Sequence, residues 1–355
     1  MRRALVVALF VACKGRDAEP QATDPVTKDL KAQLDAVRVA EHLPALGFAA
    51  WRGGKLVALE VTGTRKDGDP THPVTADDQW HLGSDTKAMT ATLIGIYVDR
   101  GLLHWDDRLD KLFAGTTIDP GYAAVTLDQL LQHRSGAPPN IDPGDGALSR
   151  AAVVAKILAR SPDHAAGTFL YSNVGYVIAG NALERATGKT WEQLMRDELF
   201  APLHMTSCGF GPPGDPAKID EPWGHIDDQP VPPDAPYGDN PPNVGPAGRV
   251  HCNLADWGKF LAIHAAPSTS LVSVATMTHL HTAPTGDKNH YMAGWMIDQV
   301  QPGVFRLGHE GSNRMWHAVA IVKPTYDVAI AIVANRMDTK LLAAMTPVVN
   351  PYLTK

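Results

Sequence analysis

The sequence has few cysteines, no long apolar run and no strong excess of one charge. Three cysteines among 355 residues are too few for a disulfide scaffold. No apolar run approaches the roughly 18–20 residues that a membrane-spanning helix needs. The 32 basic and 38 acidic side chains give a formal charge of −6, so the electrostatic footprint of a nucleic-acid-binding protein is not expected. With 44% apolar residues, the composition is that of a globular protein, which excludes disorder as the dominant state.

The first 12 residues are predicted to be an export signal. Arg2 and Arg3 provide a positive start, and the apolar stretch Ala4–Ala12 that follows is too short to span a membrane. Phe10–Cys13 resembles a bacterial lipoprotein box that ends in the cysteine to be lipidated. Residues 13–25 form a polar linker. We therefore expect an exported protein, either attached to a bacterial membrane through a lipid on Cys13 or released into the periplasm or medium.

Removal of the signal would leave two internal cysteines, Cys208 and Cys252. A disulfide between them is one interpretation. Two separate thiols buried in the core are the other, because free cysteine packs as a small apolar residue.

Strand patterns occur at both ends of the chain, and helical patterns lie between them. A hairpin is predicted from Gly47 to Gly63, and four short β-rich runs follow between residues 291 and 335. These patterns predict an α+β fold with an antiparallel sheet of about five strands, flanked by helices and formed by residues 26–100 and 285–355. A mostly helical region, residues 101–284, is inserted between the two parts.

Ser84 and Lys87 lie at the start of a helix predicted over residues 84–100, which is apolar on nearly all sides and should be buried. Because they are three residues apart, their side chains share one face of that helix. A serine hydroxyl needs a neighbouring base to become a nucleophile, and a desolvated lysine can serve. Alternatively, Ser84 is a helix N-cap and Lys87 is a solvated charge.

Two further motifs carry groups suited to catalysis. Tyr171 and Asn173 precede a helix predicted over residues 174–187; a tyrosine can act as a general base, and an asparagine amide can hold a substrate amide. His309 and Gly311 lie at the end of a predicted strand. Taken singly, Asn173 or Ser172 would be a helix cap, Tyr171 would serve packing, and His309 would be an ordinary surface or core histidine.

The order and placement of the three motifs resemble the serine β-lactamase and penicillin-binding protein superfamily. The resemblance is strongest to its class C-like branch, which includes D-Ala-D-Ala carboxypeptidases, D-aminopeptidases and family VIII esterases. It covers about residues 30–335 and implies an active site between the sheet and the helical region. The matched positions are Ser84 and Lys87 for S-x-x-K, Tyr171 and Asn173 for Y-x-N, and His309 and Gly311 for H-x-G.

This resemblance implies a serine hydrolase that forms an acyl-enzyme on Ser84, with proton transfers shared between Lys87 and Tyr171. The backbone N–H groups of Ser84 and Ser312 would form the oxyanion hole. It implies no cofactor and no metal, and a substrate that is a small molecule or short peptide. Substrate and proton-transfer groups would be supported by three further residues, namely Asn173, His309 and Gly311.

The third motif departs from that of true class C β-lactamases. His309 and Glu310 stand where those enzymes have lysine and threonine. Histidine is only partly charged near neutrality, and Glu310 would repel a carboxylate if it faced the pocket. We therefore expect weak or no hydrolysis of penicillins and cephalosporins, and an ester, amide or D-amino-acid peptide as substrate. A genuine β-lactamase or D,D-carboxypeptidase, and a catalytically inactive sensor or scaffold, are the alternatives.

Residues 211–247 contain 11 of the 28 prolines, so regular helix or strand is not expected there. We call this stretch the proline-rich segment. It lies between Tyr171 and His309 in the sequence, and we expect it to cover the Ser84 cleft and to set specificity. Candidate pocket-wall residues, taken from this segment and from the third motif, are Trp223, His225, Tyr237, Asn313 and Trp316.

Overall fold

The computed structural model describes residues 29–266, 268–286 and 288–354. The predicted signal segment 1–12, the lipidation candidate Cys13 and the linker 13–25 lie outside these residues. Within them, no helix is both long enough and apolar enough to cross a membrane.

The described residues form twelve strands and twelve α-helices. The strands are β1 (Ala45–Arg52), β2 (Lys55–Gly63), β3 (Gln79–His81), β4 (Gly209–Phe210), β5 (Gly224–Ile226), β6 (Gln229–Val231), β7 (Val250–Asn253), β8 (Tyr291–Met292), β9 (Trp295–Gln301), β10 (Val304–Gly311), β11 (His317–Lys323) and β12 (Val328–Ala334). The helices are α1 (Leu30–Ala40), α2 (Thr86–Asp99), α3 (Leu109–Leu112), α4 (Pro120–Ala123), α5 (Leu127–Leu131), α6 (Arg150–Leu158), α7 (Asn173–Thr187), α8 (Trp191–Leu194), α9 (Gly245–Gly248), α10 (Leu254–Ala265), α11 (Val274–Leu280) and α12 (Leu341–Val349).

The main sheet is antiparallel and is built from both ends of the chain, in the order β2-β1-β12-β11-β10-β9-β8. The predicted α+β class is therefore confirmed, although the sheet has seven strands rather than about five. One reason for the difference is a tight turn within the predicted run of residues 291–300. Positive φ angles at Ala293 and Gly294 fold this run back on itself, so that it becomes the two strands β8 and β9.

Helices cover both faces of the sheet, because alternate side chains of a strand point to opposite faces. On β1, Phe48 and Ala50 pack in a core with residues of α1 and α12. The alternate residues, Ala49 and Trp51, belong to the larger core that contains α10 and the helices of the inserted region. The central strands are therefore apolar along their whole length.

Helix α2 is buried in the larger core, among helices of the inserted region. All residues from Thr86 to Tyr97 are buried, in agreement with the apolar character predicted around this helix. A single 3₁₀ turn, Gly83–Asp85, leads into it. The hydroxyl of Ser84 does not cap the helix.

The proline-rich segment contains more regular structure than predicted. Strands β5 and β6 form a short hairpin within it, with Asp227 and Asp228 at positive φ in the turn, and α9 begins at its end. Pro230 lies on β6, an edge strand of this two-stranded ribbon, where a residue without an N–H donor is tolerated.

Cys208 and Cys252 form a disulfide, which decides between the two interpretations of the sequence. It joins the residue before β4 to β7, and these two strands also pair through hydrogen bonds. The bridge spans 44 positions of sequence, and the loop it closes contains the whole proline-rich segment.

Candidate active site

Ser84 lies in the 3₁₀ turn before α2, and Lys87 follows in the first turn of the helix. The Lys87 Nζ atom donates hydrogen bonds to Ser84 Oγ at 2.9 Å, to Asn173 Oδ1 at 2.7 Å and to the Ala247 carbonyl at 2.8 Å. Lys87 is 0% exposed. The alternative of a solvated lysine is therefore wrong, because the side chain is enclosed and its three donors are all used.

Burial lowers the pKa of Lys87 well below its usual value, and the nearby Asp85 carboxyl opposes this shift only in part. No carboxylate accepts a hydrogen bond from its amine: the partners are a hydroxyl, an amide oxygen and a backbone carbonyl. In its neutral form the amine keeps two N–H donors, for Asn173 Oδ1 and the Ala247 carbonyl, and its lone pair can accept the proton of the Ser84 hydroxyl 2.9 Å away.

Tyr171 forms a side-chain hydrogen bond with Ser84. Its ring lies 4.8 Å from Lys87 Nζ. Although the residue is 36% exposed, burial of its surroundings raises the pKa of the Tyr171 phenol. The phenol therefore keeps its proton at neutral pH, so in the resting site Tyr171 is a proton donor rather than a phenolate base.

The second motif is held by the start of α7. Ser172 caps this helix by accepting a hydrogen bond from the Gly175 N–H at 3.0 Å. Capping leaves the neighbouring Asn173 free for the site, where its Oδ1 accepts from Lys87 and its Nδ2 donates to Asn140 Oδ1 at 2.8 Å. The cap predicted as one alternative is thus Ser172, and Asn173 orients the lysine amine.

His309 lies on β10 and is held by two tyrosines. Tyr176 donates to the Leu131 carbonyl at 2.9 Å, so it accepts a hydrogen bond from Tyr291, whose oxygen in turn lies 3.3 Å from His309 Nε2. This chain assigns a proton to Nε2. Burial lowers the pKa of His309 to about 3, so the ring is neutral near pH 7. Its support of Tyr171 is by ring packing, with the ring centres 6.3 Å apart.

Gly311, at the end of β10, and Gly83 allow this strand to touch the 3₁₀ turn Gly83–Asp85, which we call the nucleophile turn. A Cβ atom on Gly311 would lie 2.0 Å from the Leu82 carbonyl oxygen, which no side chain could tolerate. A Cβ on Gly83, whose φ is +50°, would lie 2.3 Å from the Ser312 backbone nitrogen. The two backbones are therefore in direct contact, with Gly83, the residue before Ser84, against the Ser312 backbone.

Two acidic side chains lie close to this contact. Glu310 is half exposed and pairs with His317 Nε2 at 2.9 Å, an interaction that lowers the pKa of Glu310. Asp85 is 2% exposed, and neither of its carboxyl oxygens has a hydrogen-bond partner among the described residues. Burial therefore raises the pKa of Asp85 well above its usual value. Glu310 contributes a negative charge, whereas Asp85 is stabilised in its neutral form.

Two cavities are lined by residues of the second and third motifs. The His309 cavity, about 680 Å³, is lined by Tyr171, Tyr291, His309 and Glu310 among others. The Asn173 cavity, about 710 Å³, includes Asn140 and Asn173. Much of its wall comes from the proline-rich segment, through Pro212, Pro233, Asp234, Ala235, Pro236, Asp239, Asn240, Pro241, Pro242 and Val244.

None of the five predicted pocket-wall residues lines either cavity. His225 is fully buried and bonds to the Asp67 N–H and the Asn335 carbonyl, and Trp316 packs edge-on against Trp80. The other two also face elsewhere, since the Trp223 ring lies under Lys66 and Tyr237 is 65% exposed. Because Trp and His often serve packing, their residue type alone could not separate these roles.

The fifth, Asn313, contacts a residue that sequence analysis does not single out. It donates from Nδ2 to Asp239 Oδ1 at 3.1 Å. His133 is a second such residue: its Nδ1 accepts from the Ser172 N–H at 3.0 Å, and its ring centre lies 4.2 Å from that of Tyr171. Asp239 belongs to no short motif. His133 lies in the stretch Leu130–Gly136, which also resembles the class C-like branch, but the sequence assigns it no role, so both roles follow only from tertiary contacts.

Comparisons with known proteins identify the family of this chain. A family model described as Beta-lactamase matches residues 27–350. Penicillin-binding protein 4 of Amycolatopsis lactamdurans is 29% identical over 322 residues, covering 85% of this chain and 84% of that protein. An unguisins hydrolase of Aspergillus campestris is 23% identical over 342 residues, with 88% of this chain matched to 62% of that protein's length.

Among solved structures, a β-lactamase/D-alanine carboxypeptidase from Pseudomonas syringae has a TM-score of 0.78 at 16% identity, with 92% of this chain and 98% of that chain aligned. This likeness establishes the common fold. Within the described residues, no group of histidine, cysteine, aspartate or glutamate side chains is arranged to hold a metal ion. Since the family match spans nearly all of the described residues, this chain belongs to the Beta-lactamase family and is a hydrolase of the penicillin-binding protein-like type.

Proposed function

We propose that this protein is a serine hydrolase that cleaves an ester, amide or D-amino-acid peptide bond through an acyl-enzyme on Ser84. The observation that carries the proposal is the 2.9 Å hydrogen bond between Lys87 Nζ and Ser84 Oγ in a fully buried setting. An enclosed lysine with a lowered pKa is a base at neutral pH, and a serine beside it becomes a nucleophile.

In the acylation step, Ser84 Oγ attacks the substrate carbonyl carbon and its proton passes to Lys87 Nζ. The negative charge on the carbonyl oxygen is stabilised by the N–H groups of Ser84 and Ser312. Tyr171, which keeps its proton and bonds to Ser84, donates that proton to the leaving oxygen or nitrogen as the bond to the carbonyl carbon breaks. Lys87 then returns a proton to Tyr171. In deacylation, water attacks the acyl carbon, and protons pass from water to Tyr171, from Tyr171 to Lys87 and from Lys87 to Ser84 Oγ as the bond between the acyl carbon and Oγ breaks.

The charges around the third motif support substrates that lack a carboxylate beside the scissile bond. His309, with a pKa of about 3, is uncharged at neutral pH, and Glu310 is ionised. A carboxylate such as that of a penicillin would therefore meet a negative side chain without a fixed positive charge from His309. A neutral ester, an amide or a peptide bearing a free amine avoids this repulsion.

A second candidate is β-lactam hydrolysis or D,D-carboxypeptidase activity. It is favoured by two cations, Lys288 and Arg306, that also line the His309 cavity, and by the name of the penicillin-binding relative. Arg306 is already paired with Asp298 at 2.6 Å, which reduces its value as a carboxylate ligand. Lys288 is exposed, so water screens its charge.

The first prediction compares two chromogenic substrates on the purified protein. p-Nitrophenyl butyrate should be turned over, and nitrocefin should be hydrolysed at a kcat/KM at least about 100-fold lower, because its carboxylate is not neutralised. Ser84→Ala should abolish esterase turnover and labelling by a fluorophosphonate probe. Ser270→Ala, an exposed serine outside both cavities, is the matched control and should behave as the wild type.

Full esterase activity in Ser84→Ala would disprove the nucleophile assignment. Efficient nitrocefin turnover would favour the second candidate. A wild-type protein that neither hydrolyses these substrates nor reacts with the probe would instead be a sensor or scaffold.

We also propose that the protein is exported, with a lipid on Cys13 as a means of membrane attachment. The disulfide between Cys208 and Cys252 supports export, because disulfides persist mainly in oxidising compartments. Mass spectrometry of the mature N-terminus from the native host would distinguish a lipidated Cys13 from simple cleavage.

A further inference from the structure

We propose that Asp239, in the proline-rich segment, is a positioning residue that joins the nucleophile turn to the Ser312 turn and so sets the geometry of the oxyanion hole. This inference rests on the proposed serine hydrolase function. Asp239 lies where three other segments meet: the end of β3, the residue after α9 and the connection between β10 and β11. Its partners in these segments are His81, Arg249 and Asn313.

The link to the nucleophile runs through His81. Its Nδ1 accepts a hydrogen bond from the Gly83 N–H at 3.1 Å, so the ring proton is on Nε2, which lies 2.9 Å from Asp239 Oδ1. The side chains of His81 and Asp239 are 0% and 6% exposed. The carboxylate therefore orients His81, and His81 in turn holds the peptide N–H immediately before Ser84.

The link to the segment that follows β10 runs through Asn313. This side chain donates to Asp239 Oδ1 at 3.1 Å, and its own Oδ1 accepts from the Met315 N–H at 3.2 Å. Asn313 directly follows Ser312, whose N–H is the second proposed oxyanion donor. The proposed oxyanion donor on Ser84 directly follows Gly83, whose N–H is held by His81 beside Asp239. The donor on Ser312 directly precedes Asn313, which bonds to Asp239 itself.

The third link runs to the floor of the site. Arg249 Nε donates to Asp239 Oδ2 at 2.8 Å, and the neighbouring Asn240 Nδ2 donates to the Gly248 carbonyl at 3.0 Å. Gly248 adjoins Ala247, whose carbonyl accepts from Lys87. Burial alone would raise the pKa of Asp239, but His81 and Arg249 outweigh it and lower the pKa to about 2. The carboxylate is therefore ionised throughout the working pH range.

This arrangement matters because an oxyanion hole works only when both N–H groups reach one oxygen, within about 2.7–3.1 Å. Ser84 and Ser312 come from elements that are far apart in the sequence, and their backbones meet at Gly83 without a hydrogen bond between side chains of the two turns. A loss of alignment on the order of 0.5 Å would weaken stabilisation of the transition state more than substrate binding.

Asp239→Asn tests the proposal. Asp239 accepts hydrogen bonds from Arg249 and Asn313 on its two oxygens and lies 2.9 Å from His81 Nε2, whereas asparagine has one acceptor oxygen and an NH₂ group that must face at least one of these donors. We expect kcat per Ser84 site, with sites counted by fluorophosphonate titration, to fall about 10- to 100-fold, since loss of one oxyanion donor costs about 100- to 1,000-fold. KM for p-nitrophenyl butyrate should change less than about 3-fold, and the affinity for phenylboronic acid, whose tetrahedral adduct occupies the hole, should fall in parallel with kcat.

Asp215→Asn is the matched control. Asp215 is an ion-paired carboxylate of the same segment, but its side chain is 40% exposed, bonds to Lys218 and lies outside both cavities. This variant should have wild-type kinetics. Asn313→Ala removes only the link to the segment that follows β10 and should lower kcat per site about 3- to 10-fold. It gives a second test if Asp239→Asn folds poorly.

Hydrogen exchange provides a readout that does not need catalysis. Exchange of the amides at positions 83–84 and 311–313 should speed up in Asp239→Asn and not in Asp215→Asn. The inference is wrong if exchange at these amides and kcat per titrated site both match the wild type in Asp239→Asn and Asn313→Ala. If the wild type neither hydrolyses the ester nor reacts with the probe, the proposed function is wrong. In that case hydrogen exchange still tests the role of Asp239, which is wrong if the rates in Asp239→Asn equal those in the wild type.

Discussion

Lys87 carries the chemistry of the site because of where its amine is placed. The three hydrogen bonds to Ser84, Asn173 and Ala247 replace its hydration shell with neutral oxygen atoms. Such a setting satisfies the donors without a salt bridge, so it lowers the pKa where a carboxylate partner would have raised it. Tyr171 is affected in the opposite direction, because burial favours the neutral form of both groups.

This difference in pKa predicts the pH dependence of activity. The neutral amine of Lys87 is the base, so kcat/KM should fall as the pH drops through its lowered pKa and the ammonium forms. The raised pKa of Tyr171 keeps the phenol protonated to above about pH 10, so no alkaline loss is expected up to pH 9. His309, with a pKa of about 3, stays neutral over this range. A profile of p-nitrophenyl butyrate hydrolysis from pH 5 to 9 should rise to a plateau, and a flat profile would contradict the assignment.

Asp85→Asn shows which group produces the acid limb. Only an ionised Asp85 would raise the pKa of Lys87, and burial favours the neutral carboxyl, so the acid limb should stay close to its wild-type position in this variant. Disappearance of the limb in this variant would assign it to the Asp85 carboxyl instead.

Among the secondary-structure elements, helix α10 packs directly against strand β1 of the main sheet. The contact point on the helix is Gly258, which has no side chain; a Cβ atom there would lie 1.7 Å from the Trp51 ring on β1. Trp51 is 4% exposed and fills this place next to a bulge between Ala50 and Trp51. The glycine is thus required by the tryptophan on the neighbouring strand, and not by the helix itself.

Gly258→Ala should lower the free energy of unfolding by about 1–3 kcal/mol, because overpacking outweighs the roughly 1 kcal/mol that alanine gains in a helix. Urea denaturation followed by circular dichroism measures this change. The double variant Gly258→Ala/Trp51→Phe should be more stable than the sum of the two single effects by about 1 kcal/mol or more, since the smaller ring makes room for the methyl group. Purely additive effects would contradict the contact.

At the scale of the whole molecule, the chain depends on connections between distant segments. Strand β1 pairs with β12, so the two ends of the described chain close one sheet. The disulfide between Cys208 and Cys252 then closes the loop that contains the proline-rich segment and Asp239. Covering the site with a long irregular segment costs conformational entropy, and the disulfide reduces this cost by restricting the unfolded chain.

Removal of the disulfide in Cys208→Ser/Cys252→Ser should lower the free energy of unfolding by about 3–4 kcal/mol for a loop of this length. Thermal or urea unfolding of the wild type with a reductant should reproduce the loss. The double variant is its own control, because the reductant should not change its unfolding midpoint. An unchanged midpoint in a wild-type sample whose two thiols are fully reduced would disprove the stabilising role.

The sequence by itself determined the features that depend on near neighbours. Helical spacing places Ser84 and Lys87 together, apolar residues on all sides predict the burial of α2, and strand patterns at both ends predict one sheet from both ends. Only the tertiary structure paired Cys208 with Cys252, added strands to the sheet and brought Asp239 to His81, Arg249 and Asn313. The two kinds of feature depend on interactions that act over different distances along the chain. Backbone geometry acts within a few residues, whereas burial, which shifts the pKa of Lys87, and contacts between distant segments exist only after the chain has packed.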